Sequence, residues 1–276
     1  MTNKIINILI LVNFTVFCYA QNIGQNDDTL VNYIDINGLK QGYWQKDYYN
    51  GNIKYKGYFK NDKLVGEFKR YSNKGKLMAI LFYDETGDTA NAKIFHENSK
   101  LAASGIYIMK IKYGNWQYYN ENGLLLLEES YNSGVKHGLS KQYYLNGSLY
   151  KEIEYKDGKI NGISKRYYTN GNINFFINYK DGLCQGDYYI YFESGKIEIK
   201  GKYNNDLKNG KWYYYKENGS LIREVEYING KAENQDELDI IETEILKKLD
   251  DNKGKILDPE DFTNSPEEYL FNKNRY

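Results

Sequence analysis

Proline is nearly missing from this chain. Its two prolines, Pro259 and Pro266, both fall near the C-terminus. Everything before them is free of the residue that deletes a ladder donor, so long β pairing is permitted there. Cysteine is as scarce, with Cys18 and Cys184 alone. Once the N-terminal stretch holding Cys18 is removed, one thiol remains and an internal disulfide is excluded. The two histidines, His96 and His137, have no cysteine or second histidine beside them, which argues against a zinc set. Neither sign of charge is in excess, with 37 basic and 37 acidic residues. Nucleic acid and anionic membrane are therefore not expected as the main partner.

Long apolar runs are missing too. Ile5 to Phe17 is apolar but interrupted by two asparagines, and is too short for a comfortable membrane span. With Lys4 before it and Cys18-Tyr19-Ala20 after it, it reads as a secretory signal over residues 1–20, cleaved after Ala20. Phe17 is bulky where a lipobox wants a small residue, which argues against a lipid anchor on Cys18. The mature chain is then expected to be secreted or periplasmic, with no membrane span. The short motifs of catalysis (GxSxG, HExxH, the P-loop and CxxC) do not occur. Ser133-Gly134-Val135-Lys136 matches S-x-x-K but sits at a turn position, and Cys184 reads as an incidental thiol in a turn. No enzyme activity, cofactor or metal is expected.

What is abundant is tyrosine, 31 residues, and glycine, 25, and both are distributed periodically. An opening position recurs every 24 residues at Gly42, Gly66, Ala90, Gly114, Gly138, Gly162, Gly186 and Gly210. A turn glycine follows at Gly51, Gly75, Ser99, Gly123, Gly147, Gly171, Gly195 and Gly219, with Ile or Leu two residues later. A closing aromatic ends the unit at Phe59, Tyr83, Tyr107, Tyr131, Tyr155, Tyr179, Tyr203 and Tyr227. Such a period means a stacked array. A unit this short suits two strands and two turns, and Asn-Gly between apolar runs is a strong hairpin signal.

A two-residue Asn146-Gly147 turn sets a register. Tyr144 then faces Leu149, Gln142 faces Lys151, Ser140 faces Ile153 and Gly138 faces Tyr155. Each opening glycine lies across from a closing aromatic, whose ring covers the bare backbone. The next pair inward trades size, as in Trp44 with Gly57, Tyr188 with Gly201, Ser140 with Ile153 and Ser164 with Ile177. Phe68 with Leu81 and Trp116 with Glu129 do not fit that trade. The opposite face is charged, with Asp47 and Lys54, Lys141 and Glu152, Asp187 and Lys202, and Lys211 and Glu226 as opposed pairs. One aromatic column crosses it: Tyr71, Phe95, Tyr119, Tyr143, Tyr167, Tyr191 and Tyr215.

The expected fold is all-β, an elongated single-layer antiparallel sheet of stacked hairpins with about 16 strands. At the usual strand spacing it runs on the order of 75–80 Å, twisted into a trough. Residues 21–30 form a polar leader, and 31–231 hold a half unit and eight full units. Unit three, which loses both glycines to Ala90 and Ser99, is expected to bend or weaken the sheet. Residues 232–276 carry 13 acidic and 6 basic residues. Asn234 and Glu237 there start a capping helix with Leu238, Ile241, Ile245 and Leu249 on one face, and the acidic tail can lie back on the sheet. Candidate binding residues are the rings that a single layer cannot bury on both faces: Tyr131, Tyr155, Tyr179, Tyr203 and Tyr227 on one, Tyr143, Tyr167, Tyr191 and Tyr215 on the other.

Gly210 to Lys231 reads GKWYYYKENGSLIREVEYINGK, the pattern G-x-W-x-Y-Y-x-x-N-G-x-L followed by Y-x-x-G-K. It resembles the variant MORN repeat of the YwqK-like family, over Leu30 to Lys231. The resemblance implies antiparallel hairpins in an elongated sheet that serves as a scaffold or binding surface. It also implies an antitoxin label that the signal sequence opposes. A second likeness, to the choline-binding repeats of cell-wall proteins, fits less well because those units are shorter. The expected function is a protein-binding scaffold, with a cell-wall glycan or choline-type ligand as the alternative.

Overall fold

The computed structural model describes residues 30–234, and the expected signal, the expected leader before Leu30 and the expected capping helix lie outside the described residues. Eighteen strands run from Tyr33–Ile34 to Lys231–Ala232 in one sheet. Each pairs antiparallel with its neighbours in sequence, from Tyr33 against Gln41 at one end to Tyr227 against Ala232 at the other. Sixteen strands are full length and the two outermost have two residues each. The terminal edges are thereby kept short, a common protection against edge-to-edge pairing.

The expected glycine–aromatic pairs all form, from Gly42 with Phe59 to Gly210 with Tyr227, and unit three keeps Ala90 against Tyr107. The expected size trades form as well. The Asn-Gly turn, however, is not the two-residue kind. Gly147 N–H donates to the Tyr144 carbonyl at 2.9 Å, and Tyr144 N–H to the Ser148 carbonyl at 2.8 Å. Gly147 alone is left-handed, at φ +83°. This is a type I turn closed by one left-handed residue, which offsets the strands by one. A bulge at Tyr150 removes the offset, so Tyr143 and not Tyr144 opposes Leu149, while Gln142 still opposes Lys151. The same bulge puts Asp47 against Ile53 and breaks the expected pair with Lys54.

Asparagine before the turn glycine therefore serves its side chain and not a left-handed backbone. Asn146 Oδ1 accepts from Ser148 N–H at 3.0 Å, and the Nδ2 groups of Asn50, Asn98 and Asn170 donate to carbonyls of the next turn along. Tyr144 and Tyr168 hydroxyls make the same step, to the carbonyls of Tyr167 and Tyr191 at 2.7 Å each. His96 Nε2 does so at Tyr119. One rim of the sheet is thus tied unit to unit by side chains.

The two-residue type I′ turn is at the second turn, where Asp157 and Gly158 lie at φ +49° and +81°. Immediately after it the opening glycine, Gly162, lies at φ +112° in a bulge of two extra residues. Positive φ is the reason for glycine in that column. Unit three has Ala90 there and no bulge; its ladder runs straight from Ala79–Ile94 to Tyr83–Ala90. Four residues, Glu85 to Asp88, close the loop instead of two, with Asp84 N–H on the Thr89 carbonyl. The longer loop takes up what the bulge no longer holds, so the ladder is continuous where a bend was expected.

Because no atom lies within 4 Å of a Cβ built on Gly147, a side chain there meets strain and not a clash. We expect Gly147→Val to cost about 1–2 kcal/mol and Gly147→Asn clearly less, since asparagine tolerates the left-handed region. Urea unfolding midpoints check this, and equal midpoints for the two variants would contradict the assigned turn.

Candidate functional site

On the glycine face, packing is organised by rings laid over strand glycines of the preceding unit. A Cβ on Gly201 would sit 2.2 Å from the Trp212 ring, one on Gly105 2.3 Å from Trp116, and one on Gly57 2.8 Å from Phe68. Within-unit pairing left Trp116 and Phe68 without small partners; Gly105 and Gly57, across the unit boundary, supply them. Trp116 is 0% and Trp212 1% exposed, in a fold with one layer. A lysine four residues earlier covers each tryptophan from the solvent side: Lys40 at 4.7 Å from Trp44, Lys112 at 4.8 Å from Trp116 and Lys208 at 4.6 Å from Trp212. The aliphatic stem buries apolar surface and the ammonium rests on the ring. The recurring K-x-x-x-W could have been read from the sequence.

The closing tyrosines join this packing. Tyr203 and Tyr227 meet the Trp212 ring edge-on at 5.1 and 5.9 Å, and Tyr131 lies against the Trp116 cluster. Tyr155 lies under Lys136 at 5.3 Å, and Tyr179 opposes Gly162. Tyr227 is buried and the other four are half-buried. Burial pushes the Tyr179 and Tyr203 hydroxyls up to about 12. These rings form the core of a one-layer fold, and their exposed flanks are partly taken by lysine.

One charged group enters that core. Glu129 is 6% exposed, opposite Trp116 and beside Ser140. Its carboxylate pairs with Lys136 and accepts from the Tyr131 hydroxyl. Burial, then the bond to Glu129, pushes the Tyr131 hydroxyl well above its ordinary range. Cys184 stands in the strand Leu183–Tyr191, not in a turn. Burial raises its thiol pKa, which lowers the thiolate fraction and hence its reactivity.

On the charged face, four tyrosines of the second column stand in two states, while Tyr119 donates to Gln117. Tyr143 donates to Glu128 and Tyr167 to Glu152, each at 2.5 Å. Burial, and then the Glu128 carboxylate, pushes Tyr143 up to about 12. Tyr191 and Tyr215 instead stack on Tyr189 and Tyr213, at 5.9 and 6.4 Å with planes 29° and 21° apart. Two flat aromatic tracks therefore stand on either side of the strand Ile197–Asn204. Lys200 on that strand lies 4.6 Å from Tyr213. Between the tracks is a cleft of about 330 Å³ lined by Asp187, Tyr189, Lys200, Lys202, Lys211 and Tyr213, with glycines 201 and 210 in its floor. Asp187 pairs with Lys202 at 3.5 Å, whereas Lys211 reaches Glu224 at 2.5 Å and not its cross-strand Glu226. Tyr189, Tyr213 and Lys200 were not singled out by the repeat columns. Tyrosines two apart in one strand, on one face, were the available signal.

Residues 64–85, 136–157, 160–181, 185–205 and 208–229 each match one repeat family. Five of the repeats match the MORN repeat variant. The MORN variant matches leave out the units that open at Gly42, Ala90 and Gly114. No curated protein matches the chain. Among solved structures, it is similar in part to the crystal structure of TarM, at 15% identity and a TM-score of 0.26, over 34% of this chain and 20% of that one. It is similar to the GtfA/B complex bound to UDP and GlcNAc at 15% identity and 0.19, over 41% and 22%. For TcdB2-TccC3 the values are 10% and 0.22, over 73% and 14%. The chain spans less than a quarter of the length of each of these.

Proposed function

We propose that this chain is an exported, non-catalytic repeat module that holds a protein partner on the charged face of its sheet. The observation that carries the reading is the cleft between the two tyrosine tracks. Half-buried, preordered rings flanked by charge are what protein-binding surfaces use as anchors. The signal-like residues 1–20 support export, and the resemblance of the repeat pattern to the YwqK-like family supports a scaffold role. Affinity capture from an envelope fraction, with the native chain beside a Tyr189→Ala, Tyr213→Ala variant, tests it. A defined partner recovered by the native chain and lost with the variant supports the proposal. Retention on purified cell wall that choline or glycan abolishes would instead establish the glycan alternative.

A further inference from the structure

The repeats can be compared with one another at the bulge that follows each second turn. In the unit that opens at Gly162, the bulge exposes the Ile163 N–H on the charged face. Glu154, nine residues earlier, places a carboxylate oxygen on it at 3.2 Å. The same carboxylate occupies the space above Gly162, 1.9 Å from where a Cβ would be. One unit earlier the same place is taken by Ser130, whose hydroxyl donates to the Leu139 carbonyl at 3.2 Å. The bulge is therefore a position where this fold already seats a carboxylate.

Two units on, the equivalent bulge residue is Lys211 and the residue in place of Glu154 is Lys202. A lysine side chain has donors and no acceptor, so it cannot reproduce the Glu154 contact. This bulge forms part of the cleft floor and wall. The cleft presents three ammonium groups, on Lys200, Lys202 and Lys211; Asp187 pairs with Lys202, Glu224 from the next strand pairs with Lys211, and Lys200 lies over the Tyr213 ring. We infer that the cleft takes a carboxylate of an acidic peptide segment, seated at the Lys211 bulge where Glu154 sits in its own unit, with Tyr189 and Tyr213 as walls. A peptide is favoured over an acidic sugar because the place is built to fit a glutamate side chain reaching it from a neighbouring strand. This rests on the binding-module reading and assigns the chemistry of its ligand.

Lys202→Glu is the decisive variant, since it restores the fold's own carboxylate and plugs the site from within. The probe is a fluorescein-labelled peptide of alternating glutamate and glycine, followed by fluorescence anisotropy with the full chain. Binding is expected to weaken as salt rises from about 0.05 to about 0.5 M, as screening shortens the reach of the lysines. It is expected to fall at least tenfold in Lys202→Glu and by a smaller factor in Lys202→Met. The Met variant keeps the stem, loses the charge and supplies the comparison if the Glu variant folds poorly. Equal affinity of native and Lys202→Met chains would overturn the inference. So would tighter binding of an oligogalacturonate than of the peptide. A partner captured equally by native and Lys202→Glu chains would overturn the assignment of the cleft and leave the binding-module reading standing.

Discussion

Gly201→Val is expected to lose about 3–5 kcal/mol, as much as truncating a buried tryptophan. The Trp212 ring lies flat on Gly201, so that a Cβ would meet it at 2.2 Å. The backbone of a paired strand cannot retreat, and the ring must leave. Its departure also uncovers Tyr188, Tyr203 and Tyr227, which all pack against it. A repeat array couples mainly through neighbouring units, so the loss is expected to be local. Hydrogen exchange should speed up first in residues 197–232, and the urea transition should broaden or split. A double-mutant cycle isolates the cause. In a Trp212→Ala background, Gly201→Val is expected to cost little more than ordinary strand substitution. Full additivity of the two changes would show that the ring does not rest on that glycine.

A second large effect is expected at the Glu129–Lys136 pair, where removing one partner costs more than replacing both. Lys136→Met leaves a nearly buried carboxylate without its cation. Breaking a buried pair costs about 3–5 kcal/mol. Here we expect the lower end, because the Lys136 side chain is 39% exposed. Replacing both partners, as Glu129→Leu with Lys136→Met, is expected to be neutral or stabilising, since apolar replacement removes the desolvation of both charges. The Tyr131 hydroxyl loses an acceptor in the double variant but keeps Tyr118 at 3.5 Å. Chemical denaturation of the native chain and the variants decides the point, and a double variant less stable than Lys136→Met alone would refute it.

The register of this fold was legible in the sequence, and the turn chemistry was not. A period of 24 with fixed columns repeats one pairing along the array and alternation by two assigns faces; Gly138 opposite Tyr155 was expected from a two-residue Asn146-Gly147 turn, and that pair forms although the turn does not. The Asn146-Gly147 turn escaped because two local departures cancel. A three-residue loop shifts the pairing by one, and the Tyr150 bulge shifts it back. Pairing farther along the strands is the same with or without them. Trp116 looked misplaced because its glycine, Gly105, belongs to the preceding unit. Glu129 is a different case: the register put it opposite Trp116 on the glycine face, but not its partners, since Lys136 and the Tyr131 hydroxyl reach it from around the following turn. The second tyrosine column was found, but the division of carboxylate-bound Tyr143 and Tyr167 from ring-stacked Tyr191 and Tyr215 depends on what stands two residues earlier. Tyr189 and Tyr213 stack where Lys141 and Lys165 do not.

The exchange at unit three, a bulge given up and a loop lengthened by two residues, sets how such a chain can change length in evolution. Strand faces alternate with every residue, so inserting or deleting one residue turns the remainder of a strand inside out. A change of two residues preserves parity and can be absorbed either in the turn or in the bulge beside it. Drift in these arrays is therefore expected in even steps at the second turn, with glycine at the opening position disappearing from a unit whenever the turn before it grows. Ala90 and the four-residue loop before it show the balance within one unit, which keeps its 24-residue spacing while the turn takes up what the bulge gives up.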